Sequence, residues 1–356
     1  MQKSRQISPQ DIEKLIAKGL EHQNAGRIEV ARKYYLKALK ASPNEPNAIH
    51  FLGVAYHQLE NNEQAERHLN DAVKLKPEDS QAHNHYGCAL LALNKLTEAE
   101  LAFRKSIELN SSNADALFNL GQLISREEIL EQSNNDDDRE KIASEAVELL
   151  NKAVTLKPEQ LEWKVKLAGA LLHAGQKDLS SKVLDFILKQ KIDHPEVYFF
   201  KSRIAAGRSA YQNLQKSLIL KPDAKSALNN FGFWNLVAEK KFDAFIWYQR
   251  ALVSEPTDVA VQWNHALSLL ANGDLENGWV AAKCRHFKPE MYIERLGLPP
   301  EWDGKAINNG TLFVFQEQGI GDELRFANCF EDLSKKLKIQ CFIETDARLI
   351  PLFSRS

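Results

Sequence analysis

No two of the four cysteines, Cys88, Cys284, Cys329 and Cys341, stand in a CxxC spacing. A cysteine zinc ribbon is thereby excluded, and isolated reduced thiols in small apolar niches are expected. No run of 18 apolar residues occurs, so no membrane-inserted helix is expected. The opening MQKSRQISPQDIEK lacks the apolar core of a secretory leader, which points to a reducing cytoplasm. Charge of one sign is also missing. The formal net charge is −2, so no overall basic field draws the protein to nucleic acid or an anionic membrane. Histidines are scattered, and His83 and His85, two apart on a helix, face different ways and do not share a metal. The run Asp136–Asp138 lacks the alternating ligands and glycine of a calcium loop. No metal and no resident cofactor is expected.

What the sequence does contain is a period. Gly19, Gly53, Gly87 and Gly121 are spaced 34 apart, as are Ala31, Ala65 and Ala99, and Tyr35, Leu69 and Phe103. Pro43 and Pro77 close the first two repeats, and Ser111 holds that slot in the third. Gly232, Ala244, Tyr248, Ala251 and Pro256 restate the pattern later. The interval from Gly121 to Gly232 is 111, three periods plus nine, which an insertion of about 13 and a deletion of about 4 supply. The insertion is SREEILEQSNNDDDRE, residues 125–140, read as a mobile acidic loop. The deletion lies between Pro195 and Pro222, 27 apart where the matching prolines Pro46 and Pro77 are 31 apart. A fifth repeat, residues 161–194, is degenerate, with Ala168 for the glycine and Ile192 for the proline.

Each repeat reads as two amphipathic helices around a turn such as LENNEQ. Glycine in the first helix and alanine early in the second let the backbones approach. The aromatic or leucine fills the space against the next repeat, and proline ends the second helix. One pair cannot bury its apolar face alone, so neighbours must stack.

A 34-residue period with glycine, alanine, aromatic and proline at these places resembles the tetratricopeptide repeat. That resemblance implies an all-α right-handed superhelix of about eight helix pairs over residues 1–286, with a concave groove lined by first helices. In such repeats an asparagine two positions before the glycine often points inward. Asn119, Asn230 and Asn264 hold that slot here, with His85 in the third repeat, while Ala17, Phe51 and Lys166 break the series. A row of carboxamides donates to and accepts from an extended peptide backbone, as in the ladder of proteins resembling the O-linked N-acetylglucosamine transferases. A protein or extended peptide is the expected partner.

After the repeats the character changes. Residues 287–310 form a linker carrying Trp302, Asp303 and Gly304, and residues 311–356 read as a small βαβα, Rossmann-like segment. TLFVFQEQ is a strand apolar enough to be buried in a parallel sheet; Gly319 and Gly321 give a tight turn that suits a phosphate or acceptor; Asp322 caps a helix; IQCFIETD is a second strand. Trp-Asp-Gly followed by Glu317, Gln318, Gly319, Gly321, Asp322 and Phe326 resembles the entry to a glycosyltransferase-like domain akin to the lipopolysaccharide heptosyltransferases. The resemblance implies that Asp322 is the general base toward an acceptor hydroxyl, and that a second domain, not seen before Ser356, would hold a nucleotide sugar. The expected function is therefore an interaction scaffold with a truncated, inactive transferase segment. The alternative is a nucleotide-sugar-dependent protein glycosyltransferase represented by an incomplete chain.

Overall fold

The computed structural model describes residues 8–126, 129–130, 136–287, 302, 307, 310–314 and 327–354. The chain forms two compact units, Met1–Leu220 and Lys221–Ser356. In the first, six helix pairs follow one another: α1 (Pro9–Asn24) with α2 (Ile28–Ala41), α3 (Pro46–Gln58) with α4 (Asn62–Leu75), α5 (Ser80–Ala92) with α6 (Leu96–Leu109), α7 (Ala114–Ile124) with α8 (Asp136–Leu156), α9 (Leu161–His173) with α10 (Lys177–Lys189), and α11 (Pro195–Ile204) with α12 (Gly207–Leu220). The second holds α13 (Lys225–Val237) with α14 (Lys241–Ser254) and α15 (Val259–Ala271) with α16 (Leu275–Ala281), which runs into a 3-10 turn, Ala282–Phe287. Beyond these lie β1 (Thr311–Val314), α17 (Asn328–Leu337), β2 (Gln340–Ile343) and α18 (Ile350–Phe353).

The period has a steric origin. A Cβ built on Gly19 would stand 2.3 Å from the Tyr35 ring, on Gly53 2.6 Å from Leu69, on Gly87 2.5 Å from Phe103, and on Gly232 2.7 Å from Tyr248. In each pair the glycine leaves room for the large, fully buried side chain 16 positions on. The side chain also reaches the neighbouring pair, since Tyr35 stacks on Phe51 at 6.0 Å. At Gly53 and Gly121 the second helix's backbone itself, Leu69 N and Ala146 O, comes within 3.2 Å of the same point. The close approach read from the sequence is thus mainly glycine against side chain, and backbone against backbone in two pairs.

Gly121 fits Leu150, 29 positions on rather than 16, so thirteen residues are inserted between them. The acidic-loop reading of the insertion needs correction at both ends. Leu130 is buried and Ile129 packs on the core with Leu120 and Leu123. Asp136–Glu140 are not loop but the opening of α8, where the carboxylates of Asp136, Asp137 and Asp138 oppose the positive end of the helix dipole. Residues 127, 128 and 131–135 lie outside the described residues. The deletion is equally local. Helix α11 has 10 residues where α3, α5, α9, α13 and α15 have 13, and only Ala205 and Ala206 connect it to α12.

Junctions between pairs follow the proline rule with two exceptions, the one at Ser111 and the one after α10, where Ile192 replaces proline. Pro43, Pro77, Pro158, Pro222 and Pro256 each stand two residues beyond a second helix. Where Ser111 replaces proline, hydrogen bonds tie the joint. Asn113 Nδ2 donates to Ser80 Oγ (2.9 Å) and Ser106 Oγ (3.0 Å), and Ser106 Oγ donates to the Ser80 carbonyl (2.8 Å). Ser106 is wholly buried and occupies the place of Ala38 and Ala72 in the earlier pairs.

Strands β1 and β2 pair in parallel, in the register Thr311 with Gln340 through Val314 with Ile343. The parallel order agrees with the sequence reading, but burial does not. Phe313 and Phe342, register partners, are 41% and 53% exposed. Gly319, Gly321 and Asp322, like Asp303 and Gly304, lie outside the described residues.

Two measurements test this packing. Gly87→Ala pushes a methyl into the Phe103 ring and should lower stability by about 1–3 kcal/mol in urea denaturation; an unchanged midpoint would show that the ring has room. Glu60 and Glu239 close their first helices at φ 60°, a left-handed conformation. Glu60→Gly and Glu239→Gly should each raise stability by about 0.5–1 kcal/mol, since only glycine adopts it without strain.

Candidate functional site

First helices of neighbouring pairs meet through a recurring contact 35 residues apart, one period plus one. The side chain two positions before the glycine place, which Ala266 holds in the last pair, touches the one three positions before the preceding glycine. Asn119 Nδ2 donates to Asn84 Oδ1 at 2.9 Å and to Cys88 Sγ at 3.3 Å. Asn264 Nδ2 donates to Asn229 Oδ1, also at 2.9 Å. One ring nitrogen of the His50 Nε2–His85 Nδ1 pair donates to the other across 2.7 Å. These cross-links are rungs. The bond uses the amide of Asn119 or Asn264 and leaves its oxygen outside the contact; on the other side the oxygen is used and the amide is left, half-buried at Asn229 but buried at Asn84. Asn230 is half-buried and has no side-chain hydrogen bond among the described residues.

The sequence-derived slots are thus placed as follows. His85 and Asn119 lie in rungs of the first unit and Asn264 in a rung of the second, while Asn230 stands beside Asn229 outside it. Their partners His50, Asn84 and Asn229 were missed. The signal was present, because like residues recur at a 35-residue step: His50 and His85, Asn84 and Asn119, Asn229 and Asn264. Lys166, which breaks the series, is held by Glu196 at 2.8 Å and Glu162 at 3.3 Å. Beside the Asn119 rung, Lys157 lies 2.8 Å from both Asp115 oxygens and over the Trp163 ring at 5.3 Å. Trp163 in turn stacks on Phe118 at 4.7 Å.

Electrostatics make these side chains neutral hydrogen-bonding groups. Burial, then the nearby His85, pushes His50 down to about 4. His85 is also lowered, by burial. Burial pushes the Cys88 thiol up to about 12, so it is no nucleophile at neutral pH. The arrangement can bind, through fixed donors and acceptors, but offers no general acid, base or nucleophile within the rungs.

Comparison with known proteins identifies the repeat. Residues 16–80, 52–114 and 86–124 match the tetratricopeptide repeat family. The repeats within residues 16–124 are tetratricopeptide repeats, and the helical fold is a solenoid of that type. Protein FlbA of Caulobacter vibrioides is 33% identical over 159 residues, 43% of this chain; the match spans about a quarter (26%) of that relative. A tetratricopeptide repeat protein from Parabacteroides merdae superposes on 73% of this chain and 99% of its own, at 13% identity and a TM-score of 0.55. The first such domain of Spaghetti (RPAP3), solved bound to an HSP90 peptide, is 29% identical, covering 33% of this chain and 94% of its own, with a TM-score of 0.32. No helix among the described residues is long and apolar enough to cross a membrane.

The histidine rung sets a pH dependence. Unfolded, His50 binds a proton near 6.5; folded, it resists until about 4. Its contribution is therefore complete above about pH 6.5 and lost as the pH falls toward 4. His50→Gln should flatten the fall in stability between those limits, measured by urea denaturation; parallel curves for the two proteins would refute it.

Proposed function

We propose that this chain is an interaction scaffold that holds extended protein segments against the faces of its first helices. The observation that carries the reading is the rung. A carboxamide whose flip is fixed by a neighbour presents its remaining group without reorganisation, an acceptor oxygen on Asn119 and Asn264 and an amide donor on Asn229, and a peptide main chain in extended form supplies matching groups at every residue. A helical partner has already used its main-chain groups and gains nothing from such a rung. Specific charge is a poor candidate for recognition here, because Lys157 and Lys166 are already paired within the protein.

Replacing Asn119, Asn230 and Asn264 together by alanine tests the reading. Peptides selected from a displayed library against the full chain should bind the triple variant more weakly, by roughly 5-fold for each asparagine they contact, at about 1 kcal/mol per net hydrogen bond. Circular dichroism should be unchanged. Full-strength binding by a folded triple variant would sink the proposal.

A second reading, transfer of a sugar from a nucleotide donor to a protein hydroxyl, draws support from one observation. A helix lies between two parallel strands, β1 and β2, which is the element order that the transferase resemblance implies. Asp322 would be the base and Gly319 and Gly321 the turn on that resemblance alone. Transfer of radiolabel from nucleotide sugars, lost in Asp322→Ala, would establish it; absence of transfer leaves the scaffold reading alone.

A further inference from the structure

The rung in the second unit is set in different surroundings from those in the first. Along α13, Asn229, Phe233 and Val237 recur at four-residue steps, so they share one face, turned aside from Gly232, which receives Tyr248. Phe233 is 57% and Val237 62% exposed. On α15, Leu267, 38% exposed, stands one turn beyond Asn264, whose amide is bonded to Asn229. The same step from Asn84 and Asn119 in the first unit leads to Cys88 and Gln122, neither of them a large apolar residue.

Charge is absent from this face. Helix α13 contains one charged residue, Lys225, and α15 none. Lys225 is itself held by Asp258 at 2.7 Å and Glu255 at 2.9 Å. A charged partner would lose its hydration with nothing to replace it, whereas an uncharged one loses little. Large exposed apolar side chains grouped around fixed polar groups mark a binding surface rather than ordinary surface scatter.

We infer that the α13–α15 face binds an uncharged extended segment whose alternate side chains are bulky and apolar. This inference rests on the scaffold reading and names the partner class for the second unit. The Asn229–Asn264 rung takes the main chain. Because successive side chains of an extended segment point to opposite sides, every second one falls toward Phe233, Val237 and Leu267. Asn230, without a side-chain partner, adds a further donor and acceptor at the same level.

The test uses the full chain and two fluorescein-labelled uncharged peptides. One carries leucine at every second position; the other has serine in place of each leucine. The leucine peptide should bind roughly tenfold more tightly, as partial burial of apolar side chains gives. Phe233→Ser combined with Val237→Ser should abolish that preference, and Leu267→Ser on the neighbouring helix should reduce it independently. Asn264→Ala should weaken both peptides alike. If the two peptides bind equally while Asn264→Ala still weakens them, the inference fails and the scaffold reading stands. If neither peptide binds, or binding ignores Asn264→Ala, the scaffold reading fails for this unit as well. A wild type that sediments as a dimer, with the Phe233→Ser, Val237→Ser protein a monomer, would make a second copy the occupant and overturn the inference.

Discussion

The fit of a glycine to a large side chain sixteen residues later is the constraint on which the rest of this protein depends. It sets how closely two helices of a pair approach and therefore how much apolar surface each pair presents to the next. Tyr35, Leu69, Phe103 and Tyr248 differ in shape, yet all are fully buried against glycine. The fit tolerates such exchange because the missing Cβ leaves a recess rather than a shaped pocket. It does not tolerate a change of phase. The thirteen residues inserted after Gly121 leave its fit to Leu150 intact.

From this packing follows the 35-residue step of the rungs. Stacked pairs are displaced along one another, so side chains that meet differ by one position from strict repetition. The polar face is a by-product of how apolar faces are satisfied. Its partners lie on neighbouring helices, and each rung therefore also resists sliding of one pair over the next.

Much of the helical fold was legible because it rests on spacing. Glycine, alanine, aromatic and proline positions fixed the pairs, and the surplus of nine residues resolved into an insertion and a deletion. What spacing could not reveal was identity of contact. Asn119 was found as a slot, but its partner Asn84 was not, because a repeat compared with itself at 34 hides a relation at 35. The insertion misled for another reason. Its asparagines and aspartates suggested solvent, while Leu130 buries itself and the aspartates suit a helix start. At β1 an apolar run implied burial, yet apolar sequence states only what a strand can bury.

The joint at Ser80, Ser106 and Asn113 gives the first unit an uneven response to mechanical load. Apolar contacts weaken gradually as surfaces separate, so junctions closed by proline and alanine can stretch and recover. Hydrogen bonds lose their strength within a fraction of an ångström. Under tension along the stack, the junction between the third and fourth pairs is therefore stiff at small strain and brittle beyond it.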